Sequence, residues 1–211
     1  MQESIIDNTL WQQANVQSFW GDIACCDHLV QIYEDEKIFI DSLEGFAGTG
    51  ILNGDSVIVI GTSCHLNDLE SRLNNHGFDL DALRANDQFI PLNAEDLLLK
   101  FMVNGWPDET RFNECVKQLF VRARRDGRSV RAFGEMVAIL WSKGNRSATA
   151  KLEELWNRVC ATEKFCLFCA YPKNGFASDD HSAIPHICTA HSKEIGGWAK
   201  SSSEIFYKHT A

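Results

Sequence analysis

The amino-acid sequence predicts an α/β fold of three layers, in which a mostly parallel sheet carries helices on both faces. Two observations predict it. Segments with strand-like and helix-like patterns alternate through most of the 211 residues, and such alternation is typical of parallel strands joined by helical crossovers. The clearest strand, Val57–Ile60, consists of four consecutive β-branched residues, as expected of a strand that is buried on both faces.

The first half of the chain contains two predicted strand–helix units. His28–Tyr33 is a short β-branched run that predicts a strand, and the acids after it begin an amphipathic helix. That helix ends at the turn signal Asn53–Asp55. The strand Val57–Ile60 precedes a second helix, which has leucines at helical spacing and ends at Gly77.

The second half continues the alternation with three further strands. Gln88–Leu92 is a weaker strand, and the long helical section after it is interrupted by a turn at Asn104–Glu109. Val130–Phe133 is the next strand, and two apolar helices follow it. Phe165–Tyr171 is the last strong strand, and Pro172 ends it.

Residues 20–192 are expected to form a single domain, with an N-terminal arm or helix at 1–19 and a tail at 193–211. Hydrophobic residues make up 45% of the chain, which is typical of a globular protein with a packed core. No apolar run approaches the roughly 20 residues that span a bilayer, and the N-terminus lacks the pattern of a secretory signal. The sequence therefore predicts a cytoplasmic protein that does not contact a membrane.

The charge balance is acidic, with 29 Asp and Glu residues, 20 Lys and Arg residues and a net charge of −9. Phosphate backbones and anionic lipids repel such a protein, so no direct contact with nucleic acid is expected. The arginine-rich stretch from Arg122 to Arg131 is interpreted as a solvated helix C-terminus, where cations complement the helix dipole. A site for an anion or an acidic partner is the alternative.

The predicted ligand site lies where the parallel strands end, because ligands of such sheets bind outside the carboxyl ends. Glu135 stands there between a buried strand and a buried helix, and it either caps the helix or projects into a pocket. His28 and Tyr33 stand five residues apart on one strand, so they are expected on opposite faces. The candidate ligand-binding residues are Tyr33, His65, Glu135, Met136, Tyr171, His28 and Cys169.

The sequence contains no recognisable catalytic motif. The glycine-rich stretch Gly45–Gly50 lacks the lysine and the hydroxyl residue of a phosphate loop, which would clamp the nucleotide phosphates and Mg²⁺. No nucleophile–base set can be assigned from spacing. The chain is therefore expected not to be an enzyme and to use no cofactor, with a bound nucleotide as a minor alternative.

The eight cysteines are expected to be thiols rather than disulfides in a reducing compartment. A zinc site is an alternative that would use Cys166, Cys169, His186, Cys188 and His191. It is disfavoured because two cysteines at positions i and i+3 of a strand point to opposite faces. The adjacent pair Cys25 and Cys26 is interpreted as either a thiol sensor or packing.

Several stretches together resemble one known family. They span about Trp20 to Ser192 and include CCDHLVQIYEDEKIF, SVIVIGTSCHLNDLESRL, RSVRAFGEMVAILWSKGN, LEELWNRV, FCLFCAYP and ICTAHS. This pattern is similar to the MEDS sensory-domain family of methanogens and methylotrophs, associated with the dichloromethane-responsive regulator DcmR. The resemblance implies a ligand-sensing domain with a RecA/KaiC-like fold that has lost its phosphate loop. Glu135 would then stand where an ATPase relative keeps a metal-binding acid.

The functional hypothesis is a non-catalytic cytoplasmic sensory protein that binds a small organic ligand at the carboxyl edge of its sheet. The resemblance implies output through a histidine kinase or transcriptional regulator partner, because family members are commonly fused to such regions. Self-association is also expected, because RecA-like relatives assemble through domain edges. Three alternatives stay open: a residual nucleotide-binding enzyme, a zinc-dependent enzyme and a pure protein–protein adaptor.

Overall fold

The computed structural model describes residues 11–176, 187–198 and 203–210, and it confirms the predicted α/β architecture. The strands of this part of the chain are β1 Gln12–Asn15, β2 His28–Tyr33, β3 Ser56–Gly61, β4 Phe89–Asn93, β5 Met102–Val103, β6 Trp106–Pro107, β7 Val130–Gly134, β8 Cys166–Pro172, β9 Lys193–Ile195 and β10 Glu204–His209. The helices are α1 Val16–Gly21, α2 Glu36–Leu52, α3 Ser63–Asn75, α4 Leu80–Ala85, α5 Ala94–Phe101, α6 Glu109–Ala123, α7 Met136–Ser142 and α8 Arg146–Thr162. Among the helices of the described residues, none combines the length and the apolar character needed to cross a bilayer.

Eight of these strands form one sheet in the order β1-β10-β9-β2-β8-β7-β3-β4, while β5 and β6 form a separate hairpin. Every pairing from β9 to β4 is parallel, whereas β10 is antiparallel to both of its neighbours. The parallel strands β2, β8, β7 and β3 are adjacent, so their carboxyl ends lie side by side along one edge. This is the edge at which the sequence predicts a ligand site.

Each face of the sheet carries its own apolar core. On one face, which we call the α1–α4 face, helices α1 to α4 cover residues such as Leu29 and Phe168. On the other, the α5–α8 face, helices α5 to α8 cover residues such as Val30 and Leu167. Neighbouring residues of β2 and β8 alternate between the two cores because successive strand side chains point to opposite faces. Full burial of each such side chain contributes roughly 1.5–3 kcal/mol to stability.

The segments expected to be an arm and a tail both contribute to this sheet. β1 pairs with β10 and β9 pairs with β2, so strands from the two end regions of the chain form one side of the sheet. Helix α1 buries Trp20 completely against the core of the α1–α4 face. A Cβ atom at Gly45 of α2 would lie 2.6 Å from Trp20 Nε1, so this position requires glycine. Short strands with such distant partners leave little local signal, because strand formation depends on cross-strand packing.

Arg131 corrects one interpretation of the arginine-rich stretch. Arg125 is exposed and pairs with Asp87, as expected of a solvated helix end. Arg131, in contrast, belongs to β7 and is only 5% exposed. Its guanidinium lies 2.6 Å from Asp55 Oδ2 and donates to the Trp20 carbonyl oxygen, also at 2.6 Å. The alternation of β7 turns this side chain into the α1–α4 core, where its charge is paired.

Candidate functional site

The predicted ligand-binding residues divide between the two faces of the sheet. Tyr33 packs in the α1–α4 core, and Glu135 meets His65 at the carboxyl edge beside the same core. The remaining predicted residues lie in the α5–α8 core or face it, and they are His28, Cys169, Tyr171 and Met136. His28 and Tyr33 therefore lie on opposite faces, as their spacing predicted. From these residues the fold builds two separate polar clusters.

The first cluster, which we call the sheet-edge network, consists of Glu36, His65 and Glu135. Glu135 occupies the N-cap position of α7 but makes no side-chain capping bond there. Its Oε2 atom instead accepts a hydrogen bond from the Thr62 backbone N–H at 2.7 Å, and its Oε1 atom lies 2.5 Å from His65 Nδ1. The other ring nitrogen of His65, Nε2, lies 3.1 Å from Glu36 Oε2. Both nitrogens of His65 and both oxygens of Glu135 are thus paired, the latter with His65 and the Thr62 backbone.

Gly61 and the aromatic residues Tyr33 and Phe39 lie close to the sheet-edge network. A Cβ atom at Gly61 would lie 3.0 Å from Glu135 Oε2, so glycine permits the close approach of the carboxylate to the end of β3. The Tyr33 ring stacks on Phe39 at a centroid distance of 4.5 Å, and Phe39 in turn meets the His65 ring edge-on at 4.9 Å. The aromatic rings therefore hold the imidazole between its two carboxylates.

The electrostatics of the sheet-edge network favour a protonated His65. Burial acts to lower its pKa, but the hydrogen bond and charge of Glu135 and the charge of Glu36 outweigh burial, so the pKa lies above its ordinary value. The pKa of Tyr33 is also raised, first by burial and then by the negative charges of Glu36 and Glu135. Tyr33 therefore stays a neutral hydrogen-bond donor beside these acids.

The second cluster, which we call the buried cluster, consists of His28, Glu153, Cys169 and His191. One nitrogen, oxygen or sulfur atom from each residue lies within 4.8 Å of the corresponding atoms of the other three. All four residues are buried, with exposed fractions between 1% and 7%. They come from β2, α8, β8 and the segment before β9, so the fold gathers them from four parts of the chain.

The two histidines of the buried cluster are oriented by acceptors outside it. His28 Nδ1 lies 2.9 Å from Asn157 Oδ1, and His191 Nδ1 lies 2.6 Å from the Ile187 carbonyl oxygen. Each Nδ1 faces an oxygen acceptor and therefore donates, so each Nε2 carries a lone pair. His28 Nε2 lies 3.5 Å from Cys169 Sγ. In both rings the orientation leaves an acceptor nitrogen for contacts within the cluster.

Two polar atoms of the buried cluster have no hydrogen-bond partner among the described residues. They are Glu153 Oε2 and His191 Nε2, and both atoms are buried. The other oxygen of Glu153, Oε1, accepts a hydrogen bond from the Tyr171 hydroxyl. Because buried polar atoms in folded proteins are nearly always paired, two unpaired atoms in one cluster need a physical explanation.

Burial favours the neutral forms of His28 and Cys169 in the buried cluster and of the neighbouring Tyr171. Burial, with a smaller contribution from the charge of His191, lowers the pKa of His28 well below its ordinary value, while the hydrogen bond to Asn157 opposes the shift. Burial raises the pKa of the Cys169 thiol, and the charge of Glu153 adds to the shift. The pKa of Tyr171 is raised by the same two causes in the same order. Without a ligand, the cluster therefore contains a neutral imidazole at His28 and an intact thiol at Cys169.

The sequence argument did not single out Glu153 or Asn157, although both contact predicted residues. They stand four residues apart on α8, where Glu153 and Thr149, four residues before it, are buried and Asn157 is half-buried. This spacing places all three polar residues on one stripe of the helix, next to the buried Leu152 and Trp156. A polar stripe that follows the helical period along a buried face is the sequence signal that identifies them.

Four of the five residues predicted as alternative zinc ligands lie in the described part of the chain. Cys166 packs in the α1–α4 core and Cys169 in the α5–α8 core, so these two thiols lie on opposite faces, as their spacing predicted. Cys188 and His191 lie on the α5–α8 side, whereas His186 is outside the described residues. Cys25 and Cys26 are exposed, with their sulfur atoms 3.9 Å apart. Of the five residues proposed as zinc ligands, Cys169 and His191 belong to the buried cluster.

A cavity of about 540 Å³ lies along α8, and we call it the α8 groove. Its apolar lining includes Trp141, Ala150, Ala161, Ile187 and Ala190. Glu153 and Asn157 also line it, and these two residues contact Tyr171 and His28 at the sheet. The groove and the buried cluster thus share residues of α8.

Three solved structures are similar in fold to this chain. Protein PH0250 of Pyrococcus horikoshii OT3 aligns with a TM-score of 0.60 and 15% identity over 89% of this chain and 90% of that chain. The flagellar accessory protein FlaH of Methanocaldococcus jannaschii aligns with a TM-score of 0.52 and 14% identity over 82% and 72% of the two chains. The KaiC-like protein PH0186 of P. horikoshii OT3 aligns with a TM-score of 0.52 and 9% identity over 85% and 76%. Identities this low show the fold alone, and that fold is the RecA/KaiC-like one implied by the resemblance.

No curated protein matches the chain. A family match, in contrast, covers residues 27–191, and the family is described as MEDS, the MEthanogen/methylotroph, DcmR Sensory domain. This range contains both the sheet-edge network and the buried cluster. Since the match extends over well more than half of the 211 residues, the chain belongs to the MEDS family of sensory domains.

Proposed function

We propose that this MEDS protein is a non-catalytic sensor that binds a small organic ligand in the α8 groove. The volume of about 540 Å³ falls in the range of small-molecule pockets, which is about 300–1,000 Å³. The lining is mostly apolar with a few polar groups, which is the usual composition of such pockets. Membership of a sensory family supports a ligand rather than a substrate.

The observation that carries this proposal is the position of Glu153 and Asn157. Both line the groove, and both are joined by hydrogen bonds to strands of the sheet, through Tyr171 of β8 and His28 of β2. A ligand that contacts this stretch of α8 therefore contacts residues tied directly to the centre of the fold. The ligand that fits this site has an apolar body facing Trp141 and a hydrogen-bonding head facing Glu153 and Asn157.

Signalling requires that the ligand bind one conformation of the protein better than another. The groove lies between α8 and the segment Ile187–Ala190, and this segment leads through His191 into β9. A ligand held between the two can change how α8 and this segment pack together. We propose that a partner protein, a histidine kinase or a transcriptional regulator, reads that change.

The test is a ligand screen by thermal unfolding of the full chain, with short-chain alcohols, amines and halomethanes as probes. A ligand at 100 times its Kd adds about 2.7 kcal/mol to the free energy of unfolding, so a bound probe raises the midpoint. Ala150→Trp fills the groove from an exposed position of α8 and is expected to abolish the shift. Val121→Trp, at an exposed position of α6, is the matched control and should keep it.

Two results would contradict this location. If no probe raises the midpoint, or if Ala150→Trp responds like the unaltered chain, the groove is not the ligand site. Glu135→Gln separates the groove from the sheet edge where the sequence predicted the site. A shift that is lost in Glu135→Gln and kept in Ala150→Trp would place the ligand at the sheet-edge network.

A further inference from the structure

The buried cluster differs from an ordinary polar network in the kind of atoms that it brings together. Two imidazole nitrogens, a thiol sulfur and a carboxylate oxygen converge within 4.8 Å of one another. In the described arrangement these are three acceptors and one weak donor, because each imidazole uses its N–H outside the cluster. Among these four atoms a single weak donor therefore faces three acceptors, and a cation satisfies such a set.

We propose that His28, Glu153, Cys169 and His191 bind one divalent transition-metal ion through His28 Nε2, His191 Nε2, Cys169 Sγ and Glu153 Oε2. Two nitrogens, one sulfur and one oxygen form a ligand set that suits Zn²⁺ and its neighbours in the first transition row. Bonds of about 2.0–2.3 Å around a tetrahedral ion place the ligand atoms roughly 3–4 Å apart. The spacing in the cluster is close to that value, so small side-chain rotations complete the site.

The residues around the cluster support a metal site independently of the spacing. Metal-bound histidines commonly donate their second ring N–H to an oxygen, which fixes the ring and the tautomer. His28 does so to Asn157 and His191 does so to the Ile187 carbonyl oxygen. The Tyr171 hydroxyl holds the carboxylate of Glu153 by its Oε1 atom. The two unpaired atoms, Glu153 Oε2 and His191 Nε2, are among the four that the ion would bind.

Binding requires a single proton transfer, at Cys169. The S–H bond of the thiol breaks, its electron pair passes to the metal and the proton leaves to solvent. The two imidazoles bind as neutral ligands through lone pairs that they already present. One metal ion therefore replaces one proton in the cluster, and no oxidant or reductant is involved.

This inference stands on the cluster alone and does not require a ligand in the α8 groove. Because Glu153 belongs to both, a bound ion would form the floor of the groove, where the head of an organic ligand can reach it. A chain that binds metal but no organic probe would contradict the proposed groove function only. A chain that binds a probe but no metal would contradict the metal site only.

The test uses the full chain, stripped with a chelator and then titrated with Zn²⁺ or Co²⁺. Native mass spectrometry should show one ion per chain, and Co²⁺ should give the visible absorption of a tetrahedral site with a thiolate-to-metal band. Cys169→Ser should lose that band, whereas Cys166→Ser, three residues away on the opposite face, should keep it. Asn157→Leu should weaken Zn²⁺ binding by about 10–100-fold through the lost orientation of His28.

The proposal is overturned if the folded, stripped chain takes up no stoichiometric metal. It is equally overturned if Cys169→Ser keeps the thiolate band, or if Cys166→Ser loses it to the same extent. Circular dichroism shows whether each variant is folded. If Cys169→Ser does not fold, His191→Gln is the substitute, and full retention of Zn²⁺ affinity in that variant overturns the proposal.

Discussion

The two buried carboxylates Glu135 and Glu153, on opposite faces of the sheet, are in opposite states of pairing. On the α1–α4 face, Glu135 is paired with His65 and the Thr62 backbone, and Arg131 is paired with Asp55. On the α5–α8 face, Glu153 and His191 each keep a buried polar atom without a partner among the described residues. Glu135 and Glu153 are 5% and 7% exposed, so pairing rather than burial distinguishes these two carboxylates. Glu135 needs no further partner, whereas the two unpaired atoms that meet at Glu153 and His191 need an explanation, and a bound ion provides one.

The largest expected loss of stability comes from breaking the buried ion pair between Arg131 and Asp55. Arg131→Met leaves Asp55 and the Trp20 carbonyl oxygen without the guanidinium, and loss of one partner from a buried ion pair costs about 3–5 kcal/mol. Urea denaturation should show a loss of this size in the free energy of unfolding. Arg125→Met, which removes a more exposed partner of Asp87, is the control and should cost much less. An equal loss of stability in Arg131→Met and Arg125→Met would show that burial does not determine how much each ion pair contributes.

The same substitution on each face should have opposite consequences. Glu135→Gln removes the charge-assisted hydrogen bond to His65 and should cost about 1.5–3 kcal/mol. Glu153→Gln keeps an acceptor for the Tyr171 hydroxyl and removes a buried charge with an unpaired oxygen, a group that itself costs about 1–3 kcal/mol. In metal-free protein, this second variant should unfold at the same urea concentration as the unaltered chain or at a higher one. A marked destabilisation by Glu153→Gln would show that its carboxylate is already satisfied.

The pH dependence of stability provides a further test of the sheet-edge network. The pKa of His65 is raised in the folded state, so between the unfolded value of about 6.5 and the raised value the folded chain binds more protons. Its contribution to the free energy of unfolding is complete below about pH 6.5 and is lost as pH rises through the folded pKa. The charged groups that face the imidazole are Glu36 and Glu135, and the Phe39 ring packs against it.

Urea denaturation at several pH values measures this contribution. The free energy of unfolding should fall as the pH rises above about 6.5. In His65→Asn the fall should be smaller by the contribution of His65. His28 does not interfere, because its lowered pKa places its own contribution below about pH 6.5. An identical pH profile in His65→Asn would mean that His65 does not carry a proton between its two carboxylates.

The smallest effect is expected at an exposed ion pair, which sets the baseline for the comparison. Lys143 Nζ lies 3.1 Å from Glu95 Oε1, and both side chains are 61% exposed. Lys143→Ala should change the free energy of unfolding by less than about 1 kcal/mol, because solvent already screens the pair. The urea midpoint measures this change. A loss of stability as large as that of Glu135→Gln would show that exposed and buried pairs contribute equally.

Much of the fold follows from local patterns in the sequence. The alternation of strands and helices predicted the parallel sheet, and the uninterrupted run at Val57–Ile60 predicted a strand between two helical layers. Strand periodicity also placed His28 opposite Tyr33 and Cys166 opposite Cys169, because adjacent side chains of a strand alternate whatever the strand pairs with. Residues 193–195 and 204–209 were not predicted as strands, since they form by pairing with distant segments.

The sequence by itself therefore determined the class of fold and which residues of a strand lie on opposite faces, since both depend on neighbours along the chain. Only the tertiary structure decided which residues meet across elements. The order of strands brings His28 of β2 beside Cys169 of β8, and the packing of α8 and the segment before β9 adds Glu153 and His191. Such contacts depend on crossovers and packing rather than on local periodicity. For that reason the ligands of the proposed metal site were assembled only by the folded chain.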